Sequence, residues 1–230
     1  MHNKETYPLV LISGLLSNES LWQHQLHYLR EIAPISVFNP SQDSPDKMVE
    51  AILKTAPPKF AMAGHSMGGW LCLEILRVAP SRVSKVCLLN ATARDDSQEK
   101  KAKRRLMIQR CEKGQFEEVA RELASLFTQV HQVRKQVLDM FLTVGSETFL
   151  NQQKSMLLRK PRGSILAMVQ CPALVIHAAQ DKNFSMDEQL EFVTKIPNAK
   201  LAVVEESGHM SPLEMPQAIT SLLRFWLSYF

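Results

Sequence analysis

Short runs of apolar residues alternate with longer segments of helical periodicity along most of the chain. The runs are rich in Val, Ile and Leu and do not alternate with polar residues, which is typical of parallel strands covered on both faces. They comprise Pro8–Ser13, Ile35–Phe38, Lys59–Ala63, Ser84–Asn90, Ala173–His177 and Ala199–Val204. The helical patterns cover Leu21–Glu31, Pro45–Thr55, Gly68–Ala79, Asp187–Ile196 and Met215–Leu227. This alternation predicts an α/β fold with a doubly wound, mostly parallel sheet.

One segment, from about residue 95 to residue 168, breaks the alternation. It consists of charged helical sequence without a good strand pattern and lies between two predicted strands. Open α/β sheets bind ligands at the carboxyl edge of the strands, and an insertion after a strand lies over that edge. We therefore expect residues 1–94 and 169–230 to form the core and residues 95–168 to form a helical lid.

Composition places the chain among ordinary globular proteins. Its 230 residues are 45% apolar and 22% charged, and the formal net charge is +4. This mild basicity alone does not support nucleic-acid binding. No apolar stretch approaches the length of a membrane span, and the amino terminus lacks the pattern of a signal peptide. We expect a cytoplasmic protein, as a monomer or a homodimer.

The four cysteines lie far apart and include no C-x-x-C pair. They stand mostly in apolar surroundings, at positions 72, 87, 111 and 171. This distribution favours buried free thiols rather than disulfides or a metal site.

A G-x-S-x-G pattern, Gly64-His65-Ser66-Met67-Gly68, is the first candidate for chemistry. By itself the pattern is weak, because a glycine-rich turn before a helix gives the same string. Here a predicted strand runs into it and a predicted helix follows it, as a nucleophile elbow requires. We therefore predict that Ser66 is a nucleophile.

A serine nucleophile needs a histidine base and a carboxylate that orients the base. His209 follows the last predicted strand and Asp181 follows the strand before it, so both reach the same sheet edge as Ser66. The order Ser, Asp, His is the order that this architecture uses. Asp187 is a weaker candidate for the acid, and Asp95 and Asp96 are further alternatives. For the other six histidines we expect structural roles.

Acyl transfer also requires hydrogen-bond donors for the oxyanion. The amide of Met67, directly after the nucleophile, is one expected donor. The other is expected from the loop after the first strand, where Leu15 follows Gly14.

Four stretches resemble the α/β-hydrolase superfamily, and together they span nearly the whole chain. They are LVLISGLLSNESLW, FAMAGHSMGGWLCLEILRVAPSRVSKVCLLNATAR, CPALVIHAAQD and VVEESGHMSPLEMP. The second is similar to small bacterial esterase-like members, including pimeloyl-ACP methyl ester carboxylesterases, 3-oxoadipate enol-lactonases and the succinyl-cyclohexadiene-carboxylate synthases of menaquinone biosynthesis. The resemblance implies a serine hydrolase that needs no metal or organic cofactor, on a sheet of about six strands. Two departures from the family pattern are Ser13 before Gly14, where His is usual, and Ala178, where Gly is common.

These observations predict hydrolysis of a small-molecule ester or thioester through an acyl-enzyme. The same triad could also open a lactone, cleave a carbon–carbon bond or eliminate pyruvate, and a non-catalytic binding protein is the alternative from another class. Beyond the triad, the predicted substrate-binding residues are Gly14, Trp70, Arg94, Met107, Phe127, Met140, Phe141 and Arg162. Core packing is the alternative role for Trp70 and for the lid residues, and surface ion pairing is the alternative for the two arginines.

A basic run, Lys100-Lys101-Ala102-Lys103-Arg104-Arg105, begins the predicted lid. It suggests docking of an acidic partner such as an acyl carrier protein, or recognition of an anionic substrate. A solvated helix face is the alternative explanation.

Overall fold

A computed structural model describes residues 7–230. Within this range a single sheet contains six parallel strands in the order β2-β1-β3-β4-β5-β6. Their bounds are β1 Leu9–Ile12, β2 Ile35–Phe38, β3 Phe60–His65, β4 Val83–Leu89, β5 Ala173–Ala178 and β6 Ala199–Val204. All six predicted strands are therefore present, and the predicted α/β-hydrolase fold is confirmed.

The α-helices between and after the strands agree with the helical patterns of the sequence to within a few residues. Outside the predicted lid they are α1 Gln23–Leu29, α2 Pro45–Thr55, α3 Met67–Val78, α8 Met186–Lys195, α9 Ser211–Glu214 and α10 Pro216–Tyr229. The largest difference is at α1, which a 3-10 turn at Glu19–Trp22 precedes. Asn18 caps that turn because its side-chain oxygen accepts a hydrogen bond from the Ser20 amide, at 2.9 Å.

Alternate residues of each strand point to two separate hydrophobic cores. In β1, Leu9 and Leu11 face the core that includes α1 and α10, whereas Val10 and Ile12 face the core with α2, α3 and α8. All four side chains are buried. This two-sided burial is why the strands show continuous rather than alternating hydrophobicity.

Residues 95–168 contain four α-helices and a final 3-10 segment, Gly163–Met168. The helices are α4 Gln98–Glu112, α5 Phe116–Phe127, α6 His131–Val144 and α7 Ser146–Leu157. They lie between β4 and β5, as the sequence predicts for the lid. No helix in the described chain is long and apolar enough to cross a membrane.

A buried ion-pair network joins the two ends of this insertion to each other. Asp96 accepts hydrogen bonds from Arg104 at 2.6 Å and from Arg159 at 2.7 Å. Burial raises the pKa of the Asp96 carboxyl, but the two guanidinium groups outweigh it, so the pKa lies below its usual value. The network therefore holds both ends of the insertion beside the carboxyl edge of β4.

Candidate active site

Ser66 lies at the sharp turn between β3 and α3. Its backbone has φ 55° and ψ −115°, a left-handed conformation that strains any residue with a Cβ. The turn is possible because Gly64 and Gly68 approach other backbone segments closely. A Cβ at Gly64 would overlap Gly68, and a Cβ at Gly68 would overlap the carbonyl oxygen of Ile12. The elbow therefore exposes the Ser66 hydroxyl at the carboxyl edge of the sheet.

His209 connects Ser66 to Asp181 by two hydrogen bonds. Its Nε2 is 2.9 Å from Ser66 Oγ, and its Nδ1 is 2.9 Å from Asp181 Oδ2. With Nδ1–H donating to the carboxylate, Nε2 is the acceptor for the serine hydroxyl proton. The structure thus brings together the three residues predicted from the sequence.

The Asp181 carboxylate is held in its ionised form. Its side chain is fully buried, and Oδ1 accepts a hydrogen bond from the Asn183 amide at 2.7 Å. Burial raises the pKa of Asp181, but the charge and the hydrogen bond of His209 have the larger effect and bring the pKa below its usual value. The other candidates for the acid do not contact His209: Asp187 lies at the capped start of α8, and Asp96 pairs with arginines.

Two buried residues that the sequence analysis did not assign to the site hold the His209 loop. The His209 carbonyl oxygen is 2.7 Å from His65 Nε2 and 3.1 Å from Asn90 Nδ2. Asn90 also accepts a hydrogen bond from the Ala178 amide at 2.8 Å and donates to Ser211 Oγ at 3.0 Å. Asn90 therefore connects the ends of β4 and β5 to the histidine loop. Its position after a buried strand was the only signal in the sequence.

The backbone of the first loop approaches Ser66. A Cβ at Gly14 would lie 3.0 Å from His65 Nδ1 and 3.2 Å from the Ser66 Cβ, so any other residue here would crowd the nucleophile. The next turn is held by the insertion, since Gln152 accepts a hydrogen bond from the Leu16 amide at 2.9 Å. The amides of Leu15 and Met67, both predicted oxyanion donors, are not engaged by another group of the described chain. Both residues line the cavity beside Ser66.

A cavity of about 290 Å³ opens above Ser66 and His209. Its apolar wall comes mainly from the insertion and from the acid loop: Met107, Leu123, Phe127, Met156 and Phe184. The Phe127 and Phe184 rings lie 4.8 Å and 5.6 Å from the His209 ring, so they shield the imidazole from water. Met107 and Phe127 are placed in the cavity, as the sequence predicts.

Comparison with known families agrees with this geometry. The model of the alpha/beta hydrolase family matches residues 9–222. The chain belongs to that family. Among curated proteins, this chain is 23% identical to an (E)-2-((N-methylformamido)methylene)succinate hydrolase from Acinetobacter baylyi. That alignment covers 97% of this chain and 91% of the relative.

Solved structures show the same fold. A thermophilic esterase from Thermogutta terrifontis, with malate bound, superposes on this chain with a TM-score of 0.85 and 23% identity. The superposition covers 96% of this chain and 89% of the esterase. An enol-lactonase from Burkholderia xenovorans gives a TM-score of 0.86 at 17% identity, covering 99% and 94%. At these identities the likeness establishes the fold alone.

Six predicted substrate-binding residues do not line the cavity, and one of them, Gly14, lies in the first loop beside Ser66 instead. Trp70 is buried in the core on the other side of the sheet and donates to the Lys160 carbonyl at 3.3 Å. Arg94 pairs with Glu191 at 2.7 Å, and Arg162 pairs with Glu74. The structure therefore corrects all three assignments, because core packing and ion pairing occupy these side chains.

Met140 and Phe141 on α6 are also displaced from the cavity. Both are buried among the helices of the insertion, and the Phe141 ring meets Phe127 edge-on at 5.9 Å. Met140 and Phe141 therefore belong to the core of the insertion, and Phe141 packs against Phe127, which lines the cavity.

The described residues contain no group of three or more His, Cys, Asp or Glu side chains that could hold a metal ion. The four cysteines are free thiols, and three of them are buried.

Proposed function

We propose that the protein hydrolyses carboxylic esters, with Ser66, His209 and Asp181 as its catalytic triad. The observation that carries this proposal is the pair of 2.9 Å hydrogen bonds that His209 makes to Ser66 and Asp181 at the base of the apolar cavity. The names of the matched proteins, a succinate-derivative hydrolase, an esterase and an enol-lactonase, are compatible with it.

Acylation follows from this arrangement. His209 Nε2 accepts the Ser66 proton as Oγ attacks the ester carbonyl carbon. The negative charge that develops on the carbonyl oxygen is stabilised by the amides of Leu15 and Met67, and by the amino terminus of α3. His209 then donates its proton to the leaving alcohol, and the acyl group remains on Ser66.

Deacylation repeats these steps with water as the nucleophile. His209 accepts a proton from water, and the resulting hydroxide attacks the acyl-enzyme. The Asp181 carboxylate stabilises the imidazolium in both half-reactions and keeps the Nδ1–H tautomer in place. Because Asp181 is fully buried and ionised, it performs this role without exchanging protons with the substrate.

Hydrolysis of a p-nitrophenyl ester series from C2 to C16 tests the proposal. A cavity of about 290 Å³ favours the shorter acyl chains. Replacing the nucleophile, in Ser66→Ala, should lower kcat by roughly 10⁶-fold. If the wild-type protein is inactive on every ester, or if Ser66→Ala keeps its activity, the proposal is wrong.

Lactone opening, carbon–carbon cleavage and pyruvate elimination remain alternatives, because the same nucleophile and base would serve them. A lactone assay beside the ester series distinguishes the first of these. Rates on a lactone that exceed all ester rates and vanish in Ser66→Ala would move the assignment to a lactonase. A protein that binds esters without cleaving them would be a non-catalytic member of the fold.

A further inference from the structure

The basic run that begins the insertion divides between two faces of α4. Lys100, Lys103, Arg104 and Met107 follow the i, i+3, i+4, i+7 spacing of one helix face, and all four line the cavity above Ser66. Lys101 instead pairs with Asp95, at 2.7 Å. One wall of the cavity therefore changes from cationic to apolar along a single helix.

Positive charge exceeds negative charge in the lining of this cavity. Lys182, in the acid loop, is a further cationic lining residue, and Asp96 is the lining carboxylate. Both oxygens of Asp96 already accept hydrogen bonds from arginines. In the described chain, neither Lys100 nor Lys182 has a carboxylate within ion-pair distance. The Lys100 ammonium lies 3.4 Å from the Asn183 carbonyl oxygen, and its charge acts on Asp96 only at longer range. The low-dielectric walls of a cleft focus such an excess on whatever enters it.

Two amide groups in the same lining lack acceptors. Gln153 is fully buried, and its Oε1 accepts a hydrogen bond from Arg104 at 2.9 Å. Because arginine only donates, the Gln153 amide presents its oxygen to Arg104 and its NH₂ group to the opposite side. That NH₂ group has no partner in the described chain. The Asn183 side-chain NH₂ is also buried without a partner. Buried unpaired donors are costly, so each points to an acceptor that the protein itself does not supply.

From these observations we infer that the substrate carries a carboxylate, in addition to the ester that Ser66 attacks. The carboxylate lies at the cationic end of the cavity, where Gln153 and Asn183 offer hydrogen-bond donors and Lys100 and Lys182 offer cations without an ion pair. Lys103 and Arg104 also line this end, but they are paired with Glu99 and Asp96. The apolar wall contacts the carbon chain between the two groups. This inference rests on the proposed ester hydrolysis and names the class of ester.

Two esters of the same shape test the inference. In p-nitrophenyl hydrogen glutarate the acyl chain ends in a carboxylate, and in p-nitrophenyl 5-methylhexanoate an isopropyl group of similar size replaces it. We expect kcat/KM to favour the anionic ester by about tenfold, the product of several modest charge interactions. The preference should diminish in 0.5 M salt, because screening weakens it.

The variant Lys100→Gln/Lys182→Gln removes two of the cavity charges and keeps both arginine partners of Asp96. It should lower the anionic-to-neutral ratio of kcat/KM at least fivefold, mainly through KM for the anionic ester. Arg105→Gln is the matched control, because it removes an exposed charge of the same helix outside the cavity. It should leave the ratio unchanged.

The outcomes separate this inference from the proposed function. Two results would overturn the carboxylate subsite while leaving ester hydrolysis intact. One is an equal kcat/KM of the wild-type protein for the two esters, and the other is an anionic-to-neutral ratio of kcat/KM that the double variant does not change. If neither these two esters nor the C2 to C16 series is cleaved, ester hydrolysis fails, and titration of both esters into Ser66→Ala still tests the subsite. If Ser66→Ala binds the neutral ester as tightly as the anionic ester, or more tightly, the subsite is overturned too.

Discussion

His65 makes the stability of the fold depend on pH below neutrality. The side chain is fully buried, and burial together with the nearby charge of His209 lowers its pKa from 6.5 to about 3. With Nε2–H donating to the His209 carbonyl, Nδ1 has no partner in the described chain, so a proton there would add an unpaired buried charge. The folded state therefore keeps this histidine neutral.

The direction and size of the effect follow from linkage. Since the folded pKa is lower than the unfolded pKa, the unfolded chain binds the proton first as the pH falls. The free energy of unfolding is therefore unaffected by this group above about pH 6.5, and it falls as the pH decreases from about 6.5 to about 3. A tenfold difference in proton affinity corresponds to about 1.4 kcal/mol, so the loss at pH 5 is about 2 kcal/mol.

His65→Gln isolates this contribution. Glutamine places an amide nitrogen near the position of Nε2, so it can keep the hydrogen bond to the His209 carbonyl, but it does not titrate. Urea unfolding followed by tryptophan fluorescence gives the free energy of unfolding of both proteins at pH 7.5 and pH 5. We expect the wild-type advantage over His65→Gln to shrink by about 2 kcal/mol at pH 5.

The comparison cancels the titrating groups that do not interact with His65, because the two proteins differ only at this position; His209 and Asp181 are the charged neighbours that do interact with it. His131→Gln, which changes an exposed histidine of α6, serves as a control and should show the same difference from wild type at both pH values. A gap between wild type and His65→Gln that does not change with pH would refute the reasoning.

Three further substitutions probe the elbow, the loop network and the insertion. Gly68→Ala places a Cβ against the carbonyl oxygen of Ile12, so it should destabilise the protein by about 1–3 kcal/mol or more, measured as a lower Tm. Asn90→Ala frees the histidine loop and should lower kcat for a p-nitrophenyl ester by up to about 100-fold, with a smaller change in KM. Asp96→Ala leaves the charge of Arg159 buried without its partner, and urea unfolding should show a loss of about 3–5 kcal/mol.

Controls for these variants come from the same chain. Asp95→Ala removes a more exposed ion pair, with Lys101, and a hydrogen bond from the Asp96 amide, and should cost about 1–2 kcal/mol. An equal loss in Asp95→Ala and Asp96→Ala would contradict the role assigned to burial. Asn90→Ala with wild-type kcat would show that the histidine loop holds its position without this side chain.

Local patterns in the sequence were enough to predict the strands, the helices and which three side chains, those of Ser66, Asp181 and His209, meet at the carboxyl edge of the sheet. The apolar runs predict parallel strands because burial on both faces leaves no polar positions, and the strand order follows the usual α/β arrangement. Gly64 and Gly68 around Ser66 predict the elbow because few other residues allow the backbone to pass so closely. His209 and Asp181 follow strands whose carboxyl ends share one edge, so topology alone predicts that they approach Ser66.

Features that depend on packing between distant segments could not be predicted. Nothing near Asn90 in the sequence indicates that its side chain joins the Ala178 amide to the His209 carbonyl. The sequence predicts that Arg94, just before the insertion, and Arg162, near its end, bind substrate, but acidic residues on α8 and α3 pair with them. Their partners are 97 and 88 residues away in the chain, so only the fold reveals the pairing.

The sequence by itself determined the fold class, the elbow and the order of the candidate catalytic residues, because each depends on short-range pattern and on sheet topology. Tertiary structure decided which side of each helix meets the cavity. In the sequence, nothing distinguishes one basic residue of the run on α4 from another. In the structure, Lys100 and Arg104 line the cavity, whereas Lys101 pairs with Asp95 outside it. The rotation of a helix about its axis is set by the segments packed against it, and those segments lie far along the chain.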